Sequence, residues 1–181
     1  MSFMTKEDTL VVFIDFQEKL MPAMNGKEAL EDKVIRLANG LKVLGIPNVV
    51  TQQYTKGLGE TIPSIAEAIG EFQPIEKTCF SCMNHVDFVN ALDLAEKSNI
   101  IVCGIESHIC VQQTVLQLLD EGYKVYVPVD CISSRSQTDL LWATERMEKA
   151  GAILTTYESI LYELLRDSKA DGFREISSIV K

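Results

Sequence analysis

The apolar positions of this chain follow two rhythms that alternate from end to end. Short unbroken apolar runs occur at Leu10 to Ile14, Asn48 to Thr51, Asn99 to Cys103, Lys124 to Val127 and Ala152 to Leu154. Runs of this length with no polar alternation read as strands buried on both faces. Glu71 to Lys77 reads as a weaker, short strand. Between the runs, apolar residues recur at helical spacing. Leu30, Val34, Leu37, Ala38, Leu41 and Leu44 form one such stripe, closed by Gly45 and Pro47. Asn84 to Lys97 carries Phe88, Val89, Leu92 and Ala95 on its inner face, and His108 to Asp120 carries Val111, Val115, Leu118 and Leu119 before Gly122. Thr138 to Ala150 and Glu158 to Leu165 are predicted as further helices. Gln52 to Gly70, with its glycines and Pro63, reads as a long loop with a short helix, a common form for a segment that covers a site.

Strands alternating with helices predict an α/β fold with a mainly parallel central sheet of about six strands, covered on both faces. No internal repeat, low-complexity stretch or linker divides the chain, so its 181 residues are expected to form a single domain.

Composition narrows the function classes. The formal charge of −9 argues against nucleic acid or an anionic membrane as partner. No apolar run is long enough to span a bilayer, and Leu10 to Ile14 is too short and too closely flanked by acidic residues for a signal peptide. A cytoplasmic location is expected on that basis. Five cysteines, an odd number, make a disulfide framework an unattractive reading. The expected partner is a small-molecule substrate.

In an open parallel sheet, ligands bind outside the carboxyl ends of the strands. Three chemically active residues stand there. Asp15 ends the first strand, Lys77 ends the Glu71 to Lys77 segment, and Cys110 follows the Asn99 to Cys103 strand by one turn. A thiol near the start of a helix meets unpaired N–H groups and the positive end of the helix dipole, both of which favour thiolate. Asp15 could take its proton and Lys77 could orient that carboxylate. Taken singly, each residue has a plainer reading: Cys110 as a buried structural thiol, Asp15 as a turn cap, Lys77 as a surface charge. Around them, Phe16, Tyr54 and Phe80 are candidates for an aromatic pocket wall. Gln17 and Gln53 are candidate polar contacts, and His108 is a candidate pocket residue. Arg135 is a candidate for a subunit contact or a salt bridge. Cys79-Phe80-Ser81-Cys82 spells C-x-x-C, but only His85 lies nearby as a further ligand, so no zinc site is expected.

Taken in order, these motifs resemble those of the isochorismatase-like cysteine hydrolases, which include nicotinamidases and N-carbamoylsarcosine amidohydrolase. The strand ending in Asp appears as Val11-Val12-Phe13-Ile14-Asp15-Phe16-Gln17, the lysine in Glu76-Lys77-Thr78-Cys79-Phe80-Ser81, and the nucleophile motif as Gly104 to Val111, with Ser107 where threonine is usual. Asp130 to Ser136 and Gly151 to Glu158 are similar as well. The resemblance implies a three-layer αβα fold, an Asp15–Lys77–Cys110 triad, and a homo-oligomer. It also implies a non-proline cis peptide between Ile105 and Glu106 that aims the N–H groups of Glu106 and Cys110 at an oxyanion. Metal-binding nicotinamidases carry Asp-x-His after the second strand; here the stretch is Thr51-Gln52-Gln53-Tyr54-Thr55, so no metal or other cofactor is expected. Two other outcomes belong to the same fold: hydrolysis of an isochorismate-like vinyl ether, and a non-catalytic relative that binds a metabolite.

Overall fold

The computed structural model describes residues 3–181 as a three-layer αβα sandwich. Its strands are β1 (Thr9–Ile14), β2 (Asn48–Gln53), β3 (Ile75–Lys77), β4 (Asn99–Ile105), β5 (Lys124–Pro128), β6 (Ile132–Ser133) and β7 (Ile153–Thr155). They run in the order β3-β2-β1-β4-β5-β7, with β6 paired to the end of β4, and every pairing is parallel. The central pair, β1 and β4, is buried at every position. That is why these two runs carry no polar alternation.

Alternate residues of each central strand feed opposite cores. Val11, Phe13, Ile101 and Cys103 face α1 (Lys27–Val43), and the same layer holds α3 (Pro63–Ile69), α7 (Tyr157–Leu165) and α8 (Phe173–Val180). Leu10, Val12, Ile14, Ile100 and Val102 face the other layer, made of α4 (Val86–Ala95), α5 (Gln112–Asp120) and α6 (Gln137–Ala150). A four-residue helix, α2 (Thr55–Leu58), follows β2. Right-handed βαβ crossovers account for helices on both faces of a parallel sheet.

Four parts of the chain differ from expectation. The segment after Gln52 is less of a loop: β2 runs on to Gln53, and α2 and α3 take up most of the remainder. The helix after β4 opens with a π-helical turn, Ser107–Val111, before α5 begins. Two short pieces, β6 and α8, lie beyond the pattern that was read. β6 is only two residues long, and α8 shows itself through Ile176, which is buried against the α1 layer.

Candidate active site

The geometry starts where β1 ends. Asp15 turns out of the strand with φ of 56°, a left-handed conformation that aspartate tolerates better than most residues. Its neighbour in β4 is Gly104, paired with Ile14. A Cβ on Gly104 would lie 2.5 Å from both Ile14 Cβ and Ile14 O, so only glycine lets the two strand ends lie this close.

Lys77 stands two strands away, because β2 lies between β1 and β3. Adjacent strands are about 4.8 Å apart, and the gap is one that a long lysine stem can cross. Lys77 Nζ donates to Asp15 Oδ2 at 2.7 Å and to Gln53 Oε1 at 2.7 Å. The carbonyls of Cys79 and Phe80 lie at 3.3 and 3.2 Å. Thr51 Oγ1 donates to Asp15 Oδ1 at 2.8 Å. Both side chains of the Lys77–Asp15 pair are fully buried, and each polar end is met by partners, as a charge in the interior requires.

Cys110 approaches from the other flank of β1, in the π-helical turn after β4. Its Sγ lies 3.6 Å from Lys77 Nζ. The three residues separated in sequence by 62 and 33 positions thus meet around one ammonium. The peptide between Ile105 and Glu106, which leads into this turn, is cis.

The electrostatics differ from those expected of a helix N-terminus. Burial, first, and the Asp15 charge, second, push the Cys110 thiol well above its ordinary value of 9.0; Lys77 opposes them without prevailing. Desolvation thus favours the thiol form of this sulfur. For Lys77, burial is the largest single influence and works against the charged form, but the Asp15 carboxylate together with Cys82 and Cys110 outweighs it, and the ammonium is held above its ordinary range. A neutral thiol beside an ion-paired carboxylate is a pair between which a proton can pass.

Above the sulfur opens a pocket of about 140 Å³. Gln53 and Phe80 line it, as does Glu106. The other residues proposed for the pocket are placed elsewhere. Phe16 is buried in the α1-side core. Gln17 is fully buried and acts as a staple: its amide donates to the carbonyls of Gln53 and Gly59, and its Oε1 accepts from Gln53 N at 2.6 Å. Tyr54 is half-exposed and lays its ring over Gly57. His108 Nδ1 pairs with Ser134 Oγ at 2.9 Å. Phe16, Gln17 and Tyr54 are directed away because the chain leaves β1 and β2 through positive-φ residues, Asp15 and Tyr54, so strand alternation no longer predicts where the next side chain points, and His108 belongs to the π-helical turn after β4.

Sequence reasoning missed Thr51, which holds Asp15, and the apolar wall of Leu20, Leu58 and Ile109. Leu20 sits in a turn and Leu58 ends a four-residue helix, and neither is long enough to show a period. Arg135 pairs with Glu106: its backbone N and its Nε both donate to Glu106 Oε2 at 3.0 Å.

A parallel αβα sheet with an acid, a lysine and a buried thiol gathered at its carboxyl edge defines a hydrolase-like site of one family. Residues 9–159 match the isochorismatase domain, and the chain belongs to the isochorismatase family. It is 34% identical over 178 residues to isochorismatase domain-containing protein 2 of Danio rerio, covering 98% of this chain and 89% of that one. Against isochorismatase domain-containing protein 2A of Mus musculus the identity is 37% over 177 residues, with 97% and 84% covered. Among solved structures, one described as the MAR1 ribonuclease from Caenorhabditis elegans superposes with a TM-score of 0.93 at 37% identity, covering 99% of this chain and 92% of that one. YcaC from Pseudomonas aeruginosa, solved with hexane-2,5-diol and covalent acrylamide, superposes with a TM-score of 0.93 at 25% identity, covering 98% and 90%.

Proposed function

We propose that this protein is a cysteine hydrolase that cleaves the C–N bond of a small amide through a thioester on Cys110. The observation that carries this reading is the buried Lys77 ammonium, 2.7 Å from the Asp15 carboxylate and 3.6 Å from the Cys110 sulfur. In this reading the substrate carbonyl settles over the sulfur. Asp15 takes the thiol proton as sulfur attacks carbon, so the anionic sulfur never has to exist alone in a buried site. The backbone N–H groups of Glu106 and Cys110 take up the developing oxyanion. Asp15 then passes its proton to the departing nitrogen, and ammonia or an amine leaves. A water, deprotonated in turn by Asp15, attacks the thioester and releases the acid and the thiol. Lys77 keeps the Asp15 carboxyl oriented throughout, and Gln53 holds the ammonium from behind.

Covalent acrylamide in the Pseudomonas aeruginosa relative supports the nucleophile of this reading alone: acrylamide is an electrophilic alkene that a thiol captures at its β-carbon, with the amide left intact. Vinyl-ether hydrolysis would ask Asp15 to act first as an acid, a poor use of a carboxylate ion-paired at 2.7 Å. Cleavage of RNA, suggested by the description of the Caenorhabditis elegans relative, is disfavoured by a net charge of −9. A homo-oligomer belongs to the same proposal: the Escherichia coli YcaC protein, similar in fold, is described as octameric.

The test is intact-mass and peptide mass spectrometry after exposure to a panel of small primary amides. An acyl adduct on Cys110 is expected, with turnover lost in Cys110→Ala by about 10³-fold or more. Full turnover in Cys110→Ala would show the mechanism to be wrong.

A further inference from the structure

Two of the groups that line the pocket over Cys110 are acidic, Asp15 and Glu106, and none of the lining residues is a lysine, arginine or histidine. The two carboxylates are balanced very differently. Asp15 is neutralised by an ammonium buried with it at 2.7 Å. Glu106 is nearly buried, at 8% exposure, whereas the Arg135 side chain that pairs with it is 64% exposed. Water and salt screen the arginine's charge far more than the glutamate's. Both arginine bonds fall on Glu106 Oε2. Lys77, 3.6 Å from the sulfur, is matched by Asp15, so Glu106 is the less fully compensated charge among the residues that line the pocket.

We infer that the Glu106 side chain is the specificity-determining residue of this site, admitting compact neutral or cationic amides and turning away those that carry a carboxylate. The reach of a single unit charge at contact distance, inside a low-dielectric wall, is ample for strong discrimination. The size of the pocket sets the other bound: a cavity of about 150 Å³ is known to hold benzene, so the 140 Å³ here suits an amide of about six non-hydrogen atoms. A dicarboxylate such as isochorismate fails on both counts. Arg135 anchors Glu106 from the solvent side and holds its carboxylate in place at the pocket rim.

This inference rests on the amide-hydrolase reading for its substrate class, but its charge selection can be read without turnover. Iodoacetamide and iodoacetate differ chiefly in charge. With either, the Cys110 sulfur forms a bond to the methylene carbon, iodide leaves with the bonding pair of the C–I bond, and the thiol proton passes to Asp15 or water. Rates are followed by mass spectrometry of the Cys110 peptide, so that Cys79 does not contribute, and are divided by those of 2-mercaptoethanol. The wild type is expected to prefer iodoacetamide by about tenfold or more beyond the small thiol. Glu106→Gln, equal in size, is expected to remove most of that excess. Arg135→Ala, which deletes only the counter-charge, is expected to keep or widen it. An excess near one in the wild type, or one that Glu106→Gln leaves in place, would overturn the inference. The same order should appear in kcat/KM for propionamide against malonamate. If neither amide is turned over while the alkylation ratio stands, the hydrolase reading falls and the charge selection survives.

Discussion

At the carboxyl ends of β1, β2 and β4 the backbone is irregular, whereas at the ends of β5 and β7 it passes into ordinary caps. In the first region Asp15 and Tyr54 have positive φ, Gly104 sits against the Ile14 backbone, and a π-helical turn carries Cys110. In the second, Thr156 caps α7 by accepting from Ser159 N, and Asp130 Oδ1 accepts from Tyr157 N at 2.9 Å. Both regions belong to one sheet, although β1 and β4 are buried throughout and β7 is only half-buried. The difference teaches that uncommon backbone is concentrated where polar groups must be turned inward against the grain of the fold, and is absent where the edge only has to be closed.

Substitutions can break this comparison, and the largest effect is expected at the buried pair. Asp15→Asn should lower turnover by about 10³-fold while raising the rate at which a neutral alkylator reaches Cys110, because the Asp15 charge helps to hold the thiol protonated. Lys77→Met should cost about 3–5 kcal/mol of stability by leaving a buried carboxylate unpaired, and the double variant Asp15→Asn/Lys77→Met should regain most of it. Urea denaturation of the four proteins of the cycle measures this; simple addition of the two losses would show that the pair is not coupled.

Gly104→Ala comes next. Its new Cβ would press on the Ile14 backbone and side chain at once, and a loss of about 3 kcal/mol is expected in chemical denaturation. Turnover should fall with it, since Asp15 follows directly. An unchanged midpoint would mean that the two strand ends have more room than their packing indicates.

Per group, a smaller effect is expected from pH. Burial raises the thiols of Cys82, Cys103, Cys110 and Cys131 above 9.0, with Cys82 pushed up to about 11. An unfolded thiol ionises near 9 while the folded one stays neutral, so the contribution to stability is complete below pH 9 and is lost as pH rises through the folded value. Above pH 9 each such thiol should weaken the fold by about 1.4 kcal/mol per pH unit. Denaturant midpoints at pH 8 and pH 10 give the answer, and a flat profile would mean that the interior is wetter than its burial suggests.

The smallest expected effect sharpens the contrast from the other side. Thr156→Ala should cost about 1 kcal/mol by removing the cap of α7, with no change in turnover, measured by thermal melting alongside an activity assay.

Much of this protein was legible before its coordinates, because much of it is local. A buried strand needs an unbroken apolar run and a helix needs its stripe, and both patterns are written in neighbouring residues. The same locality put Asp15, Lys77 and Cys110 at strand ends. Where local pattern stopped, so did legibility: β6 is too short to show a period, and Phe16 and Gln17 follow a residue of positive φ that reverses their expected facing.

The sequence by itself determined the alternation of strands and helices, the parallel sheet, and which three candidate residues stand at its carboxyl edge. Only the tertiary structure decided that β2 lies between the lysine and its carboxylate, that desolvation favours the thiol form of Cys110, and that Glu106 lines the pocket while Tyr54 does not. The reason is physical: element type depends on the spacing of residues along the chain, whereas charge balance and pocket shape depend on contacts between segments dozens of residues apart, brought together only when the two cores close on the sheet.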